Sequence, residues 1–116
     1  MSSPVKRGTL KPMLNLPPPQ LKGKVSLEET ILRRRSVRRY RREPLDLLQL
    51  SQILWSAQGI TENKGLRAAP SAGATYPLDI FVVVGKQAVI GAEVKQTPQE
   101  LQAGIYQYEA DSHSLS

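Results

Sequence analysis

The chain has 116 residues, 40% of them apolar and 22% charged, with no cysteine and a formal net charge of +6. That length suits one small domain with a modest core, and the lack of cysteine excludes disulfides, thiolate metal sites and a cysteine nucleophile. No apolar run is long enough to cross a bilayer, and the N-terminus lacks the apolar core of a signal peptide. A cytoplasmic location is therefore the default expectation, with no membrane partner.

The charge is uneven. Residues 1–60 hold twelve Lys and Arg against four acids, a balance of +8, and residues 61–116 hold four against six, a balance of −2. Such asymmetry marks an anion site, a nucleic-acid surface or a solvated basic face.

Residues 1–25 contain Pro4, Pro12, Pro17, Pro18 and Pro19. Proline donates no hydrogen bond and holds its predecessor extended, so this stretch is read as an arm that Leu14, Leu16 and Leu21 could pin to a neighbour. Ser26-Leu27-Glu28-Glu29 has the form of a capping box, predicting a helix to about Arg35 with Leu27 and Ile31 on one face. Pro44 breaks the chain. Asp46-Leu47-Leu48-Gln49 is a second capping signature. Leu47, Leu50, Ile53, Leu54 and Ala57 follow at helical spacing, and Gly59 stands where a left-handed C-terminal cap belongs.

Ile80-Phe81-Val82-Val83-Val84-Gly85 is apolar and β-branched without alternation, as in a central strand covered on both faces. Pro98-Gln99-Glu100 suggests the start of a helical turn. Ile105-Tyr106-Gln107-Tyr108 alternates like a strand, and Asp111-Ser112-His113 reads as a turn to a partner strand. His113 is the only histidine; a surface turn gives it no catalytic role. Residues 26–116 are thus read as one domain preceded by the arm.

Seven arginines, Arg33, Arg34, Arg35, Arg38, Arg39, Arg41 and Arg42, fall within ten residues. If the helix continued through them, Arg34 and Arg38 would stack as a like-charge pair, costing about 0.2–0.5 kcal/mol; a phosphate between them would reverse that. Guanidinium forks suit phosphate oxygens, and Ser36 adds a neutral donor. Nucleic acid is the less favoured ligand, because only Tyr40 offers an aromatic platform for stacking bases.

The loop Arg67-Ala68-Ala69-Pro70-Ser71-Ala72-Gly73-Ala74-Thr75-Tyr76-Pro77 is more specific. Its small side chains let main chain approach a flat ring closely, and Gly73 can adopt torsions closed to other residues. Read from the residues alone, the loop also fits an ordinary tight turn before a strand.

Arg34-Arg35-Ser36-Val37-Arg38 resembles the Arg-Arg-Ser-x-Arg motif of the nitroreductase superfamily. Pro70-Ser71-Ala72-Gly73-Ala74-Thr75-Tyr76-Pro77 resembles the Pro-Ser-Ala-Gly-Ala-x-Tyr-Pro signature of its SagB-type dehydrogenase branch. Trp55–Ile60 and Ala103–Tyr108 match the same branch. The resemblance implies an α+β, FMN-dependent nitroreductase-like fold: a mixed, mainly antiparallel sheet flanked by helices, incomplete in this chain. It implies FMN as cofactor. Arg34, Arg35, Ser36 and Arg38 would hold its phosphate and ribityl chain, and Pro70, Ser71, Ala72 and Gly73 would meet its ring. It also implies two-electron transfer through the flavin, a homodimer in the complete form, and a nicotinamide electron donor or an azoline-containing peptide as substrate. The resemblance further implies that this chain is the N-terminal half of a longer domain. No residue is assigned as catalytic and no metal is expected. The alternatives are an inactive or merely dimerising fragment and a basic nucleic-acid-binding module.

Overall fold

The computed structural model describes residues 13–94 and 97–116. The first twelve residues of the proline-rich arm lie outside the described residues. The rest of the arm is fixed: Leu14–Asn15 forms strand β1, Leu16 is buried and Leu14 packs against the core, whereas Leu21 is exposed.

Helix α1 spans Leu27–Arg33. Ser26 caps it, its Oγ accepting from the Glu29 amide at 3.1 Å, and one ion pair joins Arg33 to Glu29 at 3.2 Å. The helix stops at Arg34, whose ψ of 127° is extended, so it does not reach Arg35. Arg34 and Arg38 consequently never become the i,i+4 pair that a longer helix would make. No residue of α1 is buried.

Strand β2, Leu45–Asp46, leads directly into helix α2, Leu47–Gln58. Asp46 and Gln49 form a reciprocal capping box, with bonds of 2.7 and 3.1 Å between each side chain and the other's amide. Such a cap satisfies two amides left free at a helix start and contributes about 1 kcal/mol. The buried face of α2 holds Leu47, Leu50, Ser51, Leu54 and Gln58; Ile53 and Ala57, expected in the stripe, are exposed. The five-residue stripe was wider than the surface available to cover it. Gly59 is extended, with φ −64° and ψ 148°, rather than left-handed. Glycine is needed there for closeness: its amide donates to Trp55 O at 2.7 Å, and a Cβ would collide with the Trp55 ring and carbonyl.

The remaining strands are β3 (Phe81–Val84), β4 (Val89–Val94), β5 (Thr97–Glu100), β6 (Gly104–Glu109) and β7 (Ser114–Leu115). They form two sheets. One runs β1-β7-β6-β3 with every pair antiparallel; the other runs β2-β4-β5, with β2 parallel and β5 antiparallel to β4. Pro98–Glu100, expected as a helical turn, is strand β5, because its main chain pairs with β4 from Ile90↔Glu100 to Val94↔Thr97. The long apolar strand is also not central. β3 stands at the edge of its sheet, pairing among the described residues only with β6, and its residues alternate between the core and an open face. Val84 is buried while Val83 is 79% exposed. Its unbroken apolar run reflects two apolar faces of which only one is covered.

The core gathers α2 against both sheets through Leu16, Leu47, Leu50, Leu54, Val84, Val89, Leu101, Tyr108 and Leu115. The β6–β7 hairpin forms as read, with Tyr108 opposite Leu115 across the ladder. His113 lies in its turn with φ +49° but faces inward, half-buried. Its Nδ1 lies 2.8 Å from Tyr108 Oη, and its Nε2 lies 2.7 Å from Ser51 Oγ and 3.0 Å from Pro17 O. The expected surface histidine is thus the tie between arm, helix and hairpin. A hairpin turn places a side chain on either side of the sheet, and here the Tyr108 hydroxyl requires a partner, while Ser51 Oγ also donates to Pro17 O at 2.5 Å. Among the described residues, no helix is long and apolar enough to cross a membrane.

Candidate functional site

Arg34, Arg35, Ser36 and Arg38 follow α1 in irregular, fully exposed chain. Arg35 turns back on the helix end, donating to Leu32 O at 3.2 Å and to Arg34 O at 2.7 Å, which satisfies carbonyls left free at the last turn. Arg34 and Arg38 form no salt bridge or side-chain hydrogen bond among the described residues. Both residues are exposed, and the local sequence is strongly basic.

The loop is built quite differently. Ser71 is extended and precedes a single 3₁₀ turn, Ala72–Ala74. Gly73, Ala74 and Tyr76 have φ of +65°, +53° and +42°. The left-handed region costs a non-glycine residue about 1–2 kcal/mol, so two of these three positions store strain. Hydrogen bonds hold it: Ser71 Oγ accepts from the Tyr76 amide at 2.8 Å, and Thr75 Oγ1 donates to Ala72 O at 3.2 Å. The Ser71 hydroxyl therefore closes the loop from within. Nothing lies closer than 3.9 Å to the position of a Cβ on Gly73, which leaves the main chain at the tip open. A cleft of about 270 Å³ runs along Pro70, Ser71 and Ala72 to Tyr76 and Leu78, with Gln58 at its back. A second cleft, of about 320 Å³, shares Gln58 and is lined by Arg67, Asp79, Tyr108 and Glu109. Burial pushes the Tyr108 hydroxyl above its ordinary pKa, with the Arg67 charge partly opposing it.

Pro70, Ser71, Ala72 and Gly73 are thus gathered in one turn, as their adjacency requires. The arginine segment lines neither of these two clefts, and no hydrogen bond joins the two segments among the described residues. The sequence reading gave no site role to Gln58, Arg67 or Tyr76. Gln58 is buried, the Arg67 guanidinium lies over the Tyr76 ring, and the Tyr76 amide closes the loop on Ser71. A signal for Gln58 was present, since it stands four residues after Leu54 on the face that α2 buries.

Strained small-residue loop, capped helix, antiparallel hairpin and mixed sheets together define an α+β fold of the nitroreductase-like kind. The model of the Nitroreductase family matches residues 31–114, and the chain belongs to that family. A presumed nitroreductase of Methanocaldococcus jannaschii is 43% identical over 91 residues, covering 78% of this chain and 40% of the relative. The crystal structure of a presumed nitroreductase from Ralstonia eutropha JMP134 superposes with a TM-score of 0.69 at 31% identity, covering 89% of this chain and 41% of that one. The chain therefore spans about two fifths of the length of the relatives it matches.

Proposed function

We propose that this chain contributes the phosphate-gripping and ring-binding segments of an FMN-dependent oxidoreductase. The observation that carries this reading is the Pro70–Tyr76 loop. Its left-handed backbone is held by its own hydrogen bonds, it bears small side chains, and it borders an open cleft. Strain of this kind persists where a ligand site needs a particular shape. Family membership supports an oxidoreductase activity.

The residues fit the cofactor chemically. Arg34 and Arg38 offer free guanidinium groups to a dianionic phosphate, with Ser36 between them. Bonds to a charged group contribute about 1.5–3 kcal/mol each, so two or three hold a phosphate firmly. Ala72 and Gly73 allow main chain to meet a flat ring at van der Waals distance. FMN, when bound, supplies two-electron hydride transfer; the protein's part is orientation and electrostatics. The Pro70–Pro77 sequence favours the SagB-type branch, with an azoline-containing peptide or a nicotinamide donor as the reacting partner and a homodimer as the working form.

The experiment is cofactor identification. The purified protein is incubated with flavin, its visible spectrum is recorded, and the released ligand is identified by mass. FMN is the expected ligand. Recovery of NAD or FAD, with no uptake of FMN, would overturn the reading.

A further inference from the structure

Ala74 and Tyr76 hold left-handed torsions that their side chains disfavour, so neighbouring contacts have to maintain them. Ser71 and Arg67 both hold Tyr76. Ser71 Oγ accepts from its amide at 2.8 Å. Arg67 meets it twice: the Arg67 amide donates to Tyr76 Oη at 3.1 Å, and the Arg67 guanidinium carbon lies 4.7 Å from the ring centroid. A long hydrogen bond of 3.4 Å ties that guanidinium to Oε1 of Gln58, a buried side chain at the end of α2. Asp79, Glu109 and Asp111 line the same cleft as Arg67, yet among the described residues Arg67 forms an ion pair with none of them. The cation rests on the aromatic face in preference to the carboxylates.

We propose that Arg67 is the positioning residue of this loop, clamping Tyr76 against the end of α2 and so fixing residues 73–76 in the shape that receives a flavin ring. The proposal rests on the reading of the loop as the ring-binding end of the site. Arg67 acts through Tyr76 and Ser71. Its effect therefore falls on the ring and leaves the phosphate alone. Riboflavin separates these two, since it carries the same ring without the phosphate.

The test compares wild type, Arg67→Ala, Arg67→Lys and Arg38→Ala. Dissociation constants for FMN and for riboflavin are read by fluorescence quenching, and hydrogen exchange at the Tyr76 amide is read in the ligand-free protein. Arg67→Ala is expected to raise both constants by about tenfold, leaving their ratio unchanged, and to speed exchange at Tyr76. Arg67→Lys is expected to recover part of both effects, because an ammonium keeps a cation over the ring. Arg38→Ala is expected to weaken FMN alone. A loss confined to FMN in Arg67→Ala would make Arg67 a phosphate ligand and overturn the proposal; so would unchanged Tyr76 exchange in both Arg67 variants. If wild type binds neither flavin, the ring-binding reading fails, and Tyr76 exchange still decides whether Arg67 holds the loop.

Discussion

Helices α1 and α2 start alike, each with a side-chain cap and an apolar stripe, and end in opposite environments. α2 buries Leu47, Leu50 and Leu54 between two sheets, whereas α1 buries nothing and leaves Leu32 71% exposed. The outer face of β3 and β6 resembles α1, with Phe81, Val83 and Ile105 exposed. An apolar stripe states a capacity for burial, and whether it is used depends on what the rest of the fold brings opposite. Grouped apolar exposure of this kind marks an interaction surface.

The sharpest way to break that contrast is to truncate both helices. Leu54→Ala, at 4% exposure, is expected to cost about 2–5 kcal/mol by cavity formation. Leu32→Ala is expected to stay within about 0.5 kcal/mol. Urea unfolding of the two variants measures both, and comparable losses would show that α1 is packed in solution.

Arg38→Ala is expected to cost about 1.5–3 kcal/mol of FMN affinity, more than tenfold, while Arg42→Ala has a much smaller effect. Flavin fluorescence titration reads both. Equal losses that vary together with salt would instead fit a diffuse basic surface.

His113→Ala removes the imidazole's bonds to Ser51, Tyr108 and Pro17 and leaves the direct bond from Ser51 Oγ to Pro17 O. Leaving the Tyr108 hydroxyl without its partner is expected to cost about 1–3 kcal/mol. Faster amide exchange at Leu16, whose amide donates to His113 O, would locate the loss in the arm. Unchanged exchange there would show that the β1–β7 ladder and the Ser51–Pro17 bond hold the arm without the imidazole.

Val83→Lys places a charge on the open face of an edge strand. It is expected to change stability by no more than about 0.5 kcal/mol and to reduce self-association seen by analytical ultracentrifugation. A large loss of stability would mean that this face is covered.

The smallest effect concerns pH. Burial raises the Tyr108 hydroxyl above its ordinary value of 10.0. Below that value both folded and unfolded chains keep the proton, and stability is insensitive to it. Above it the unfolded chain ionises first, so stability falls as pH rises through the folded value. Alkaline denaturation followed by tyrosinate absorbance should show one tyrosine ionising late, and Tyr108→Phe should remove that late step.

Local rules were legible where a residue acts on its own neighbours in the chain. Ser26 and Asp46 announced their helices because a cap bonds amides within three residues. The hairpin of β6 and β7 followed from alternation and a turn, and the small residues of Pro70–Gly73 marked their loop. Tertiary structure decided the remainder, because the deciding partner lies far away in sequence. Helix α1 ended at Arg33 and stayed bare, since none of the described residues covers its stripe. β3 became an edge because, among the described residues, only β6 pairs with it, and Pro98–Glu100 became a strand because β4 offered a free ladder. His113 turned inward to serve Ser51 and Pro17, 62 and 96 residues away. Gln58 met Arg67, and the Arg67 guanidinium met the Tyr76 ring, only in the folded chain. Caps and turns are set by short-range bonds, whereas coverage of a face and the partner of a buried polar group are set by what the folded chain brings across it.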